Sequence, residues 1–176
     1  MKQEKQEINN RELKDKISGI KYICPLITVS DIKRSRDFYE NILGQKVKFD
    51  FGESITFHGD FAIHLQSHFK KLIDNKEIIQ GGNNFELYFE CDNLEKIVGL
   101  LYKNHVAFIH EIREQPWKQK VVRFYDPDRN IVEIGESLEF LSYRLNNEGM
   151  STEQISETTG MTIEFINKSV EKYKNK

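Results

Sequence analysis

Four side chains able to bind a cation or move a proton fall at matching places along the chain. Cys24 and Glu86 each lie near the start of a strand-like run, and His64 and Glu133 each lie in a strand-like run that closes such a series. Thiolate, imidazole and carboxylate all coordinate borderline divalent ions. Side chains alternate faces along a strand, so parity sorts them. Glu86, Tyr88 and Glu90 oppose Phe85, Leu87 and Phe89; Glu133 opposes Val132 and Ile134; His64 opposes Ile63 and Leu65; Cys24 opposes Ile23; Arg123 opposes Val122 and Phe124. An antiparallel sheet with one face in solvent produces the same alternation with no chemistry at all. The matching places add something to it: if the two halves curve into one trough, all four potential ligands converge near its floor.

The elements that must position them recur in one order. A strand over 22–29, interrupted by Pro25, leads to a helix capped by Ser30 or Asp31, carrying Phe38, Tyr39, Ile42 and Leu43 and stopped by Gly44. Strands over 45–51, 54–58 and 61–66 follow. A polar connector over 67–84 ends in Gly81-Gly82-Asn83-Asn84. The order then repeats: a strand over 85–91, a helix capped by Asp92 or Asn93 with Leu94, Ile97, Val98 and Leu101 on one face, and strands over 106–112, 119–125 and 130–135. Asp126-Pro127-Asp128-Arg129 supplies turn chemistry between the last two. The repeat is one of pattern, with little residue identity between halves.

The spacing therefore predicts an α+β domain over 20–136 made of repeats 20–66 and 85–135, after a charged arm over 1–19 and before a helical extension over 137–176. In the extension Leu138, Leu141 and Leu145 form a stripe, and Ser151 with Gln154 has capping-box spacing. Gly160 precedes a last helix with Ile163, Phe165, Ile166 and Val170.

Composition narrows the function classes. Lys and Arg number 26 against 28 Asp and Glu, so no global basic field recruits nucleic acid or anionic membrane. The apolar runs are far below the ~18 residues that span a bilayer. Met1–Ser18 has no hydrophobic block, and Cys24 and Cys91 form neither a disulfide framework nor a Cys-x-x-Cys site, which together suggest a cytoplasmic protein.

Ile27-Thr28-Val29-Ser30-Asp31-Ile32, Phe38-Tyr39, Leu43-Gly44, Arg123-Phe124-Tyr125-Asp126-Pro127-Asp128 and Ile131-Val132-Glu133 stand in the order and spacing of a known pattern. Over residues 20–136 the chain resembles the vicinal-oxygen-chelate superfamily, which includes glyoxalase I, bleomycin-resistance proteins and ring-cleaving dioxygenases. The resemblance implies two tandem βαβββ units forming a curved mixed sheet with a shared cleft. It also implies a metal site at Cys24, His64, Glu86 and Glu133, of which only Glu133 has the family's usual identity.

On that resemblance the chain is a divalent-metal-dependent lyase or isomerase acting on a small oxygenated metabolite. Zn, Ni, Mn or Fe would supply Lewis-acid stabilisation, with Glu133 or Glu86 as base. Arg123 would clamp the substrate, and Tyr88 and Trp117 would form an aromatic wall, with Gln119 near the cleft mouth. A surface ion pair for Arg123 and a core position for Trp117 are the alternatives. A second reading has metal binding lost and the protein sequestering a ligand, as bleomycin-resistance members do. DNA binding through a helix–turn–helix-like tail is a third and weaker reading, because Glu164 and Glu171 accompany the lysines of the last helix. His58, His68, His105 and His110 receive no role. A homodimer is the expected assembly, with a small-molecule ligand or substrate as partner and no membrane.

Overall fold

The computed structural model describes residues 19–175. The charged arm predicted over 1–19 lies, through residue 18, outside the described residues. The chain forms two four-stranded mixed sheets of identical topology. In the first half β1 (Leu26–Val29) leads to α1 (Ile32–Asp37), which runs on through a wider π-helical turn, Phe38–Ile42. Strands β2 (Val47–Asp50), β3 (Ser54–Phe57) and β4 (Ala62–Leu65) follow. After α2 (Gln66–Leu72) the order returns as β5 (Glu86–Glu90), α3 (Leu94–Lys103), β6 (Phe108–Glu114), β7 (Lys120–Tyr125) and β8 (Ile131–Gly135). The extension holds α4 (Leu138–Asn147), α5 (Thr152–Thr159) and α6 (Ile163–Lys174).

Sheet A has the order β1-β4-β3-β2 and sheet B the order β5-β8-β7-β6. In each, the first strand pairs parallel with the fourth and the rest pair antiparallel. This is the predicted α+β class, two tandem βαβββ units followed by helices. β1 begins only after Pro25, which has no N–H to give a ladder, and the Pro25 carbonyl accepts from Ala62 N at 3.0 Å. Asp31 is the residue that caps α1, accepting from Arg34 N at 3.0 Å, and Asn93 caps α3, accepting from Lys96 N at 2.9 Å. The predicted capping box of Ser151 and Gln154 forms at α5, and Gly160 ends that helix at φ +74°.

One element was not read from the sequence. The polar segment before the second repeat opens with α2, whose N-terminus has no side-chain cap. Its position comes from tertiary contact instead: Phe69 sets its ring 5.5 Å from His64, edge-on.

The core faces of the two sheets share one cluster. Ile27, Val29, Phe57 and Ile63 from the first half join Leu87, Phe124, Val132 and Ile134 from the second. Helix α1 and its extension carry the contact, with Phe38 6.4 Å from Phe124 between ring centroids. The signature residues of the two halves then meet each other. Asp128 accepts from Ser30 N at 2.9 Å and Ser35 Oγ at 3.0 Å, and the Tyr39 hydroxyl donates to Asp126 at 2.9 Å. Much of the motif pattern is thus a structural joint between repeats. The extension builds a second small core from Leu141, Leu145, Ile155, Ile166 and Val170. It docks through Arg144, which donates to Glu136 at 2.8 Å and to the Lys118 carbonyl at 2.7 Å.

Candidate functional site

Strand register sets a row of polar side chains across the outer face of sheet B. His110 on β6 stands opposite Arg123 on β7, Arg123 opposite Glu133 on β8, and Glu133 opposite Tyr88 on β5. Alternation puts all four on the face away from Val122, Phe124, Val132 and Ile134, which are in the core.

Arg123 is the hub of the row. Its Nε donates to Glu86 Oε2 at 3.1 Å, and its terminal nitrogen forms an ion pair with Glu133. A further guanidinium nitrogen lies 3.3 Å from His110 Nε2. His110 Nδ1 lies 2.7 Å from the Glu111 carbonyl, which can only accept, so Nδ1 carries the proton and Nε2 is free to accept from Arg123. Glu133 is 4% exposed, and among the described residues its Oε2 is ion-paired with Arg123 but accepts no hydrogen bond. Burial raises the Glu133 carboxyl above the ordinary carboxylate range; Arg123 opposes the rise and Glu86 adds to it.

Beside this cluster a second chain of contacts runs from Trp117 to the backbone. Trp117 Nε1 donates to Gln119 Oε1 at 2.9 Å, and Gln119 Nε2 donates to the Tyr88 hydroxyl at 2.8 Å and the Glu136 carbonyl at 2.7 Å. Burial pushes the Tyr88 phenol up to about 12. Tyr88 and Gln119 cross over Gly135, where an added Cβ would come within 2.9 Å of Gln119 Nε2 and 3.1 Å of the Tyr88 oxygen. Trp117 is 40% exposed and Tyr88 46%, so neither is spent on the core.

The first half contributes a separate group. His64 is 7% exposed, and its Nε2 lies 2.8 Å from His68 Nδ1. Burial lowers the His64 pKa, His68 lowers it further, and Glu53 opposes both. Cys24, a free and half-buried thiol, lies just ahead of β1.

Of the predicted residues, the structure therefore gathers Glu86, Glu133, Arg123 and Tyr88, with Trp117 and Gln119 linked to Tyr88. Within one chain His64 stands apart from them. Among the described residues no three His, Cys, Asp or Glu side chains form a group that could hold a metal ion. A guanidinium already joins Glu86 to Glu133, so the residues of a single chain do not fit the metal that the superfamily implies. His110 and His68 are the functional candidates that sequence reasoning passed over. Alternation places His110 only once two irregularities in the β6–β7 register are known. His68 needed α2 to be recognised.

Comparison with known proteins agrees with this architecture. The family model of the glyoxalase-like domain matches residues 22–139. A protein of unknown function from Agrobacterium tumefaciens is 38% identical in sequence, with a TM-score of 0.62 over 68% of this chain and 96% of its own. The uncharacterized protein YraH of Bacillus subtilis is 26% identical over 121 residues, 64% of this chain and 94% of that protein. A lactoylglutathione lyase from Agrobacterium tumefaciens shares the fold at 18% identity, with a TM-score of 0.53 over 67% of this chain and 95% of its own. Sequence motifs, strand order and these likenesses agree: the chain belongs to the glyoxalase-like domain family, within the vicinal-oxygen-chelate superfamily.

Proposed function

We propose that the protein binds a small oxygenated molecule on the outer face of sheet B without a divalent metal, as a ligand-binding member of its family. The observation that carries this reading is Arg123, whose guanidinium sits where two of the expected metal ligands, Glu86 and Glu133, would meet a metal. A fixed cation there supports the metal-free alternative over a metal-dependent lyase. Arg123 offers N–H donors to a carboxylate or enolate-like oxygen, with half-exposed Glu86 the partner it gives up most readily. Glu133, buried and ion-paired with Arg123, holds the guanidinium in place. Tyr88 and Trp117 offer an aromatic flank.

The site is completed by a second copy of the chain. β1 and β5 are outer strands of their sheets. Ile20, Tyr22, Ile23 and Leu26 are exposed beside the first of these edges, and Phe85 and Tyr88 beside the second. Unpaired strand edges with exposed apolar side chains favour association. Pairing these edges between copies would wall the face that carries Arg123.

Charge argues against DNA as the partner of the extension. Residues 137–176 hold five Lys and Arg against six Asp and Glu, and α6 exposes Glu164 and Glu171 beside Lys168. Among the described residues no helix is long and apolar enough to cross a membrane.

The test is metal analysis with thermal melting. The purified protein should hold no stoichiometric Zn, Ni, Mn or Fe, and its melting temperature should be the same with those ions or with EDTA. A screen of small oxo- and hydroxy-acids should find a stabilising ligand whose effect survives EDTA and is lost in Arg123→Met. A tightly bound ion in the purified protein, or ligand binding abolished by EDTA, would return the metal-dependent lyase. Light scattering should give twice the 20.8 kDa of one chain.

A further inference from the structure

We infer that the protein has a second ligand site, at the end of sheet B between α1 and the β7–β8 turn, for a small apolar or aromatic molecule bearing one carboxylate or phosphate. A hollow of about 600 Å³ opens there. That volume lies within the ~300–1,000 Å³ of small-molecule sites. None of Arg123, Glu133 or Tyr88 lines it. Phe38, Ile42, Val106, Ala107 and Pro127 give it an apolar wall, and Arg34, Arg129 and His105 give it basic groups.

Arg129 is the residue that assigns the chemistry. Its backbone has φ +66°, the left-handed region that favours glycine. Keeping a long cationic side chain at such a turn position is the kind of local strain that accompanies function. Its guanidinium carbon lies 4.5 Å from the centroid of the Tyr125 ring. Arg34, Arg36, Arg123 and Arg144 each have a carboxylate partner. Arg129, like Arg113 on β6, has none among the described residues, and of these two only Arg129 lines the hollow. A guanidinium held against an aromatic face still presents its N–H edge, which suits a planar or tetrahedral anion. His105, on the same hollow, is also left-handed at φ +54°.

The acids nearby do not cancel this. Asp37 at the rim is paired with Lys33 at 3.2 Å. The Asp126 carboxylate accepts from the Tyr39 hydroxyl, from the Asn130 side chain and from the backbone nitrogens of Asp128 and Asn130. Arg34 reaches the hollow while bound to Asp128 at 3.0 Å, so it adds direction more than free charge.

The experiment is an NMR titration of the full-length protein with phenyl phosphate and with benzoate, using benzyl alcohol as the neutral control. At least one anion should give saturable shifts at the amides of Ala107 and Arg129 while those of Arg123 and Glu133 stay put, and benzyl alcohol should bind more weakly. Arg129→Gly suits the backbone and should fold, yet weaken binding about tenfold. Arg129→Gln, which keeps the backbone strain and loses the charge, should weaken it similarly. Neither anion saturating, shifts confined to the Arg123 face, or unchanged affinity in both variants would overturn the site.

Discussion

Arg123 and Glu133 are direct partners across the antiparallel β7–β8 pair, and their side chains form an ion pair on the outer face of sheet B. The pairing is unequal. Glu133 is almost wholly buried, while Arg123 keeps about a quarter of its side chain exposed and also serves Glu86. A buried carboxylate needs a cation close by. In this chain a side chain supplies one.

Arg123→Met should therefore destabilise the fold by about 1–3 kcal/mol near neutral pH, because it leaves the Glu133 charge uncompensated. The Glu133 carboxyl already titrates above its ordinary range, and without Arg123 it should titrate higher still. A carboxyl raised on folding binds more protons folded than unfolded, so stability falls as pH rises through that window. Urea unfolding of the variant and parent should thus differ most near pH 7 and progressively less toward pH 4, as Glu133 takes up its proton. A difference constant across that range would mean that Glu133 does not feel Arg123.

Gly135→Ala probes the contact chain beside the cluster. The new methyl would have to share space with Gln119 Nε2 and the Tyr88 hydroxyl, both on side chains that can move only by breaking their hydrogen bond. A cost of about 1–3 kcal/mol is expected. The Gln119 donor holds the Tyr88 phenol down against the rise from burial, so losing it should make that phenol, at about 12 in the parent, ionise later still. Spectrophotometric titration of the phenols, with Tyr88→Phe to identify the signal, checks this.

The order of elements was legible because each half repeats strong local signals. Asp31 and Asn93 cap helices, Gly44 ends one at φ +66°, and the runs around Ile63 and Val132 alternate cleanly. Parity also brought Glu86, Tyr88, Arg123 and Glu133 to one face, since period-two alternation needs no tertiary information. Which faces meet was not legible. His64 and Glu133 share a topological place, yet the two halves join through their core faces, so the equivalence does not bring the residues together in one chain. Nor does composition announce α2, a short uncapped helix held by Phe69 against His64. Arg123 had a substrate clamp and a surface pair as its alternatives, and only the β7–β8 register decides that its partners are the two carboxylates.

Asp128→Asn tests whether the late motif is a joint. Burial pushes this carboxyl up, but hydrogen bonds from Ser30, Arg34 and Ser35 outweigh it and hold the group below its ordinary value. An amide cannot offer two acceptor oxygens to these donors, so the variant should lose about 2–3 kcal/mol at neutral pH. Because the folded carboxyl is depressed, its contribution is present above the unfolded pKa near 4 and is lost as pH falls through the folded value. The gap between variant and parent should therefore narrow on acidification below about pH 4. Equilibrium unfolding at a series of pH values reads it directly.

The His64–His68 pair gives a second handle of the same sign, at a higher pH. Burial and the neighbouring imidazole lower the His64 pKa, so the folded protein holds this ring neutral where the unfolded chain would protonate it. Between the depressed folded value and the unfolded value near 6.5 the unfolded state binds more protons, so stability rises with pH across that window and levels off above it. Protonating both rings would also set two positive groups within hydrogen-bond distance of each other, since Nε2 and Nδ1 are 2.8 Å apart. His64→Gln removes the titrating group and keeps a side chain able to hydrogen-bond His68. Unfolding free energies compared at pH 5 and pH 7.5 should show a smaller difference in this variant than in the parent. An unchanged difference would assign the acid sensitivity to other groups and leave His64 as a spectator on sheet A.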